Sequence, residues 1–123
     1  MALNDLKYET IIQKAESVAE ALYNSRKDLD TQLRKFYGYL LKFQRNVESK
    51  VTDKHQRIDR LPLLKAKAAY LVARNNRLVP LVQQLEPWLN KAESIEDLEK
   101  IIRFMEGVIS FYKYIPIKRR GGR

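Results

Sequence analysis

The stretch LPLLKAKAAYLVARNNR, residues 61–77, has two faces when it is read at helical spacing. Lys67, Tyr70 and Arg74 recur at i, i+3 and i+7 and form a polar stripe. Such a stripe can hold a phosphate backbone and stack a base, whereas the alternative is a solvated basic face over an ordinary core. The other face is apolar and predicts a helix packed on a helical core; its members are Leu61, Leu64, Ala68, Leu71 and Val72.

Helical periodicity continues on both sides of this stretch. Apolar stripes predict one helix over residues 6–24 and a second that starts with Asp30 or Thr31 as its N-cap. They predict two more helices over residues 78–91 and 95–115. Pro62 suits the first turn of a helix, Pro87 predicts a kink or break, and Pro116 predicts a stop. The fold class is therefore predicted to be all-α, a small bundle of about five helices.

Length and composition set the domain organisation. The 123 residues predict one helical domain over residues 1–117, followed by a flexible basic tail over 118–123. No apolar run approaches the length needed to cross a membrane, and the N-terminus lacks an apolar signal core. With no cysteine in the chain, these features predict a cytoplasmic protein without disulfides.

Positive charge is concentrated in the middle of the chain. Residues 31–77 carry 12 of the 24 basic residues and 3 of the 15 acidic ones, a net charge of +9. Residues 1–30 and 78–117 each have a net charge of −2, and residues 118–123 have +4. A localised basic field predicts a polyanionic partner, most often nucleic acid.

Catalytic and metal-binding patterns are missing from the sequence. His55 is the single histidine, and no cysteine accompanies it, so common nucleophilic and metal sites lack their partners. No P-loop and no GxGxxG motif occurs. We expect no enzyme activity, no cofactor, no metal and no small-molecule substrate.

Of the aromatic residues, Tyr39 and Tyr70 fall beside basic positions rather than on core stripes, so they are candidates for stacking against a ligand.

Three segments in order resemble the small subunit of the type III-A CRISPR effector, the Csm complex. DTQLRKF at residues 30–36 is similar to the family's "TTSQIR" helix start. LKAKAAYLVAR at 64–74 is similar to its pattern of leucine, basic residue, apolar run, tyrosine and terminal "AGR". RFMEGVISFYKY at 103–114 is similar to its closing helix. Ala73 stands where the family usually has Gly, Asp30 where it often has Thr, and GVIS at 107–110 where "ALVA" is typical.

The resemblance implies a non-catalytic, all-helical subunit of an antiviral ribonucleoprotein, present in several copies that stack along the backbone subunits. It implies guide RNA and target RNA, other subunits of the complex and copies of itself as partners, with no membrane. Matched onto this chain, it implies RNA contacts at Arg34, Lys35, Lys65, Lys67 and Arg74. Charge alone adds Lys42, Arg45, Lys54 and Arg57, and stacking adds Tyr70.

Other functions stay open at this point. The related Cmr-type (III-B) complex has a small subunit of the same size, helicity and role. A helical protein–protein adaptor with a basic surface would bind an acidic protein instead. A helical DNA-binding regulator is the third alternative, but the long charged link before residue 61 does not match the short turn of a helix-turn-helix motif.

Overall fold

The structure is a computed structural model that describes residues 6–25, 28–49 and 62–121. In this part of the chain there are five α-helices and a 3₁₀ turn, and no β-strand. The predicted all-α bundle of about five helices is thereby confirmed. The elements in order are α1 (Tyr8–Ser25), α2 (Asp30–Glu48), α3 (Pro62–Arg74), the 3₁₀ turn (Asn76–Leu78), α4 (Val79–Lys91) and α5 (Ile95–Gly121).

The α5 helix packs against both α1 and α2, and its closest packing is with α1. The Lys100 ammonium on α5 donates a hydrogen bond to the carbonyl of Leu6, at 3.0 Å, just before α1 begins. Further along α5, Arg119 donates to Oδ1 of Asn24, at 2.8 Å, near the end of α1. Contacts at both ends in the same order show that α1 and α5 run parallel.

The α2 helix runs antiparallel to α5. Leu29, which precedes α2, bonds to Tyr112 late in α5, whereas Tyr37 in the middle of α2 bonds to Glu106 earlier in α5. The α3 helix packs mainly on α4 and the 3₁₀ turn, and α4 also contacts α1. The α2 helix thus packs mainly on α5 and the α3 helix mainly on α4, and the two helices leave a groove between them.

Apolar side chains from every helix form one core. On α4, Trp88 packs edge-on against Phe104 of α5 with ring centroids 4.9 Å apart. Most residues of the predicted stripes lie in this core, but Ile12 of α1 is 36% exposed, and Leu71 and Val72 of α3 are only half-buried. Leu61 of the predicted α3 stripe lies outside the described residues. The largest fully buried side chains include Phe36, Phe104, Ile11, Leu22, Leu29, Leu33, Leu40, Leu64, Leu78 and Leu81.

The α1 and α5 helices approach each other most tightly at Gly107. A Cβ placed on Gly107 would lie 2.9 Å from the Cβ of Ala15 and 3.4 Å from Cδ1 of Ile12. Carbon atoms pack at about 3.5–4.0 Å, so a side chain at this point of α5 would push the two helices apart. The glycine is thus required by the helix–helix distance, and not by an unusual backbone angle, because no glycine among the described residues has a positive φ.

Ser94 and Asp97 cap the start of α5. The Asp97 N–H donates to Oγ of Ser94 at 3.3 Å. In return, Oδ2 of Asp97 accepts the N–H of Glu93 at 2.9 Å, one residue earlier than in a standard capping box.

The N-cap predicted for α2 was wrong, because Leu29 occupies that position and Asp30 is already helical. The Leu29 N–H is satisfied instead by the Tyr112 hydroxyl, at 2.8 Å.

The stop predicted at Pro116 was also wrong, and of the kink or break predicted at Pro87 the break does not occur. The α4 helix continues through Pro87 to Lys91, and α5 continues through Pro116 to Gly121 instead of ending at Ile115. Buried neighbours stabilise α4 at this point, since Trp88 and Leu89, directly after Pro87, both lie in the core. Beyond Pro116, Arg119 bonds to Asn24 and lies 5.3 Å from the ring centroid of Tyr23. These contacts offset the local cost of each proline.

Residues 118–121 therefore belong to α5, although the sequence predicted a flexible tail there. The division of the chain into a domain over 1–117 and a tail over 118–123 stays a prediction.

Gly107→Ala is expected to destabilise the protein, because the added methyl group overlaps Ala15. Overpacking of this kind typically costs about 1–3 kcal/mol. The gain in helix propensity, about 1 kcal/mol or less, does not offset it. Urea unfolding followed by circular dichroism measures the change in the free energy of unfolding.

Gly38→Ala is the matched control, since it adds the same methyl group to a helix where no heavy atom lies within 4 Å of the new Cβ. This variant should be more stable than the parent by about 0.4–1 kcal/mol, because alanine restricts the unfolded chain. Equal or greater stability of Gly107→Ala would contradict the close approach of α1 and α5.

Tyr112→Phe is expected to cost about 1–3 kcal/mol, because it leaves the buried N–H of Leu29 without its acceptor. Burial raises the pKa of Tyr112 above its ordinary value, and the hydrogen bond from Leu29 partly opposes the rise. The contribution of the Tyr112 hydroxyl to the free energy of unfolding is therefore fully present below the unfolded-state pKa, about 10. This contribution is lost as the pH rises through the folded-state pKa.

Unfolding measured from pH 8 to pH 11 should show a smaller alkaline loss of stability for Tyr112→Phe than for the parent. Tyr114→Phe is the control, because Tyr114 is half exposed on the same helix and should behave like the parent. An alkaline loss that Tyr112→Phe leaves unchanged would show that this hydroxyl does not contribute to it.

Candidate functional site

A groove of about 490 Å³ lies between α2 and α3. Its volume falls within the range of small-molecule and cofactor sites, about 300–1,000 Å³. Both helices contribute to it, and the chain after α3 closes one end. Its lining consists of Gln32, Lys35, Phe36, Gly38, Tyr39, Lys42, Lys67, Tyr70, Leu71, Arg74, Asn75 and Leu78.

Helical periodicity explains which residues of α2 and α3 line the groove. On α3, Lys67, Tyr70 and Arg74 follow at i, i+3 and i+7, so the polar stripe seen in the sequence faces the groove. On α2, Lys35 and Lys42 are two turns apart on one face, and that face meets the α3 stripe across the groove. The structure thus brings together two basic segments that are well separated in the sequence.

Lys67 lies between two tyrosine rings. Its Nζ is 5.0 Å from the ring centroid of Tyr39 on α2 and 5.5 Å from that of Tyr70 on its own helix. The Arg74 guanidinium carbon is 5.8 Å from the Tyr70 centroid, and Arg74 Nη1 donates to the Tyr70 hydroxyl at 3.2 Å. Such cation–π contacts contribute about 0.5–1 kcal/mol at exposed sites, so they orient these cations without burying them.

The floor of the groove is apolar. Phe36 and Leu78 are each 1% exposed and belong to the core. Leu71, which the apolar stripe predicted for the core, is only half-buried; it packs against the core and also lines the groove. A recess with an apolar floor and a charged rim can accept a ligand that has both an apolar and an anionic part.

The charges around the groove have one sign. Four of its described lining residues are cationic, namely Lys35, Lys42, Lys67 and Arg74, and none is acidic. The described residues thus produce a positive potential that attracts anions.

Several carboxylates of α2 and α5 are paired with other groups. Asp30 lies 2.9 Å from Arg34 and 3.9 Å from Lys113. Glu106 lies 2.9 Å from Arg103 and accepts a hydrogen bond of 2.8 Å from the Tyr37 hydroxyl. Burial is the main cause that raises the pKa of Tyr37, and the hydrogen bond to Glu106 is the second. The same carboxylate raises the pKa of Arg103. The Asp30–Lys113 and Tyr37–Glu106 contacts join α2 to α5, and none of these residues lines the groove.

The structure separates the candidate residues into three groups. Lys35, Lys42, Lys67, Tyr70 and Arg74 line the groove. Arg34, Arg45 and Lys65 are exposed but do not line it, and Arg34 is paired with Asp30. Lys54 and Arg57 lie outside the described residues, as does His55.

Sequence reasoning missed the polar amides of the groove. Gln32 and Asn75 line it, and the side-chain oxygen of Gln32 is buried without a hydrogen-bond partner among the described residues. Gln32 precedes Lys35 by three residues and Tyr39 by seven, so the helical spacing did carry a signal for it. Asn75 also caps the 3₁₀ turn, because its Oδ1 accepts the N–H of Arg77 at 3.0 Å.

The described ranges contain neither a candidate metal site nor a membrane-spanning helix. Residues 6–25, 28–49 and 62–121 contain no group of three or more histidine or acidic side chains placed to hold a metal ion. Within the same ranges, every helix is too short or too polar to cross a lipid bilayer.

Fold and groove together define a small helical-bundle protein with a basic, aromatic-lined surface. The family model Csm2 Type III-A matches residues 5–117, and the chain belongs to that family. It is thus a small subunit of the type III-A effector complex, as the resemblance predicted, and the match is not to the Cmr-type alternative. Neither the curated proteins nor the solved structures give a significant match to the chain.

Proposed function

We propose that this protein is a non-catalytic subunit that binds RNA within the type III-A effector complex through the α2–α3 groove. Several copies stack along the complex, and their basic surfaces line the channel taken by target RNA paired to the guide. The observation that carries the proposal is the groove itself, where Lys35, Lys42, Lys67 and Arg74 face one space and no described lining residue is acidic.

Cations of this kind suit the phosphate backbone. Each neutralised phosphate releases condensed counterions, so the interaction gains free energy without reading a base. Lysine and arginine contacts to phosphate position a nucleic acid but carry no sequence information. A subunit that must accept any target needs this property, because the guide RNA supplies the sequence recognition by pairing.

The remaining surface favours contacts with proteins. Glu9, Glu16 and Glu20 recur at i, i+7 and i+11 along α1 and place negative charge on one stripe of that helix. Such a stripe repels RNA and fits a basic surface of a neighbouring subunit. Tyr8 on α1 is 48% exposed and lines a shallow recess with Phe111 of α5, which offers apolar area to a neighbour.

Stacking in several copies supports the RNA contact. One groove meets few phosphates, so an isolated copy binds weakly and with strong salt dependence. Copies held in a row by other subunits place their grooves along the same RNA, and the later contacts become intramolecular.

Replacing Lys67 and Arg74 by Ala together is expected to weaken binding to unrelated single-stranded RNAs by similar factors. The slope of log affinity against log salt should fall by roughly 0.7 for each phosphate that the variant no longer neutralises. Fluorescence anisotropy titrations at several salt concentrations, with the isolated protein and with the assembled complex, measure this slope. Circular dichroism checks that the helices are intact.

The matched control is a double variant that removes two exposed lysines outside the groove, by Lys7→Ala and Lys91→Ala. Lys65 is left in place, because it is one of the RNA contacts that the resemblance implies. Lys7 and Lys91 are exposed outside the groove, so the salt slope should stay near that of the parent. If both double variants lower the slope equally, the protein binds through its overall charge rather than through the groove. If neither changes it and the parent prefers an acidic protein to RNA, the adaptor function replaces the one proposed.

The purified protein is expected to cleave no RNA and hydrolyse no nucleotide in the presence of Mg²⁺ or Mn²⁺. The physical reason is the lack of any catalytic constellation in the sequence. Incubation with labelled RNA followed by denaturing electrophoresis provides the measurement. Cleavage that follows the protein through purification and disappears on a point mutation would contradict a non-catalytic role.

A further inference from the structure

We infer that the α2–α3 groove takes one unpaired nucleobase of the bound RNA, stacked on Tyr70, while the flanking phosphates lie against Lys35 and Lys42 on one wall and Arg74 on the other. This inference rests on the proposed function and adds to it a base-binding subsite. The base contact is independent of sequence, because every nucleobase presents a π-face.

The shape of the groove is the first argument. A surface that bound phosphates alone would need only cations on a convex or flat face. Here the cations surround a recess of about 490 Å³ whose floor includes Phe36, Leu71 and Leu78. An apolar floor below a basic rim matches a nucleotide, whose flat base is weakly hydrated and whose phosphate is anionic.

The positions of the tyrosines identify the stacking platform. Tyr39 is half-buried, its ring is 6.5 Å from that of Phe43, and Lys67 lies 5.0 Å from its centroid. Tyr70 is 52% exposed, a large aromatic surface left open at the edge of the groove. An exposed ring at the edge of a basic groove can stack a base while cations of the groove hold the adjacent phosphates.

Open space and an unmatched polar atom support the same occupant. Gly38 lines the groove, and a Cβ placed there would have no heavy atom within 4 Å, so the α2 wall is open at this point. The buried Oε1 of Gln32 accepts no hydrogen bond from the described residues, although buried polar atoms are normally paired. An N–H or O–H group of a nucleotide supplies such a donor after rotation of the Gln32 amide.

Tyr70→Ala in the full chain tests the subsite against two probes, a short unstructured RNA and a strand of the same length with an abasic ribose at every position. Loss of stacking should weaken binding to the RNA by about 5- to 150-fold, equivalent to about 1–3 kcal/mol. Binding to the abasic strand should equal that of the parent. The salt slope should not change on either probe, because the substitution removes no charge.

Tyr70→Phe and Tyr114→Ala are the controls. Tyr70→Phe keeps the ring and removes only the hydroxyl that Arg74 contacts, so it should retain most of the RNA affinity that Tyr70→Ala loses. Tyr114 is 50% exposed outside the groove, so its replacement by Ala should have no effect on either probe.

The outcomes separate this inference from the proposed function. If Tyr70→Ala binds RNA like the parent, or is weakened equally on the abasic strand, or if Tyr70→Phe is weakened as much as Tyr70→Ala, the base subsite is wrong. In each of these cases the lower salt slope of the Lys67 and Arg74 double variant would still support binding through the groove. If that double variant also binds both probes like the parent, the proposed function and the subsite both fail.

Discussion

The contact between α1 and α5 at Ala15 and Gly107 is the constraint on which the rest of the bundle depends. It brings the two helices close enough for α5 to bury a second face against α2. Because α2 is held there by the Tyr112 and Glu106 contacts, its outer face is left for α3 to approach from the side of α4. The groove is therefore a product of helix packing.

Much of the fold could be predicted because helical period is a local property of the sequence. The five helices and most of their buried stripes follow from it. The errors came from distant partners. The start of α2 depends on Tyr112, 83 residues from Leu29, and the end of α5 depends on Asn24, 95 residues from Arg119. No local rule for capping or proline contains such contacts.

The candidate site was predictable to the same extent. Spacing alone aligned Lys67, Tyr70 and Arg74, and charge alone selected Lys42. Which face of α2 opposes that stripe depends on tertiary packing, so the sequence could not separate Lys35, in the groove, from Arg34, outside it. The i, i+4 spacing of Asp30 and Arg34 is a local signal for their ion pair, and it is the one sequence feature that favours a structural role for Arg34.

The parallel arrangement of α1 and α5 has a consequence for synthesis on the ribosome. The first helix finds its main partner in the last one, through contacts that span 94 and 95 residues. Until α5 has left the exit tunnel, the apolar faces of α1 and α2 have no extensive surface to cover them. While α5 is still being synthesised, the nascent chain consequently exposes the apolar faces of α1 and α2, and exposed apolar surface of this kind favours binding by chaperones.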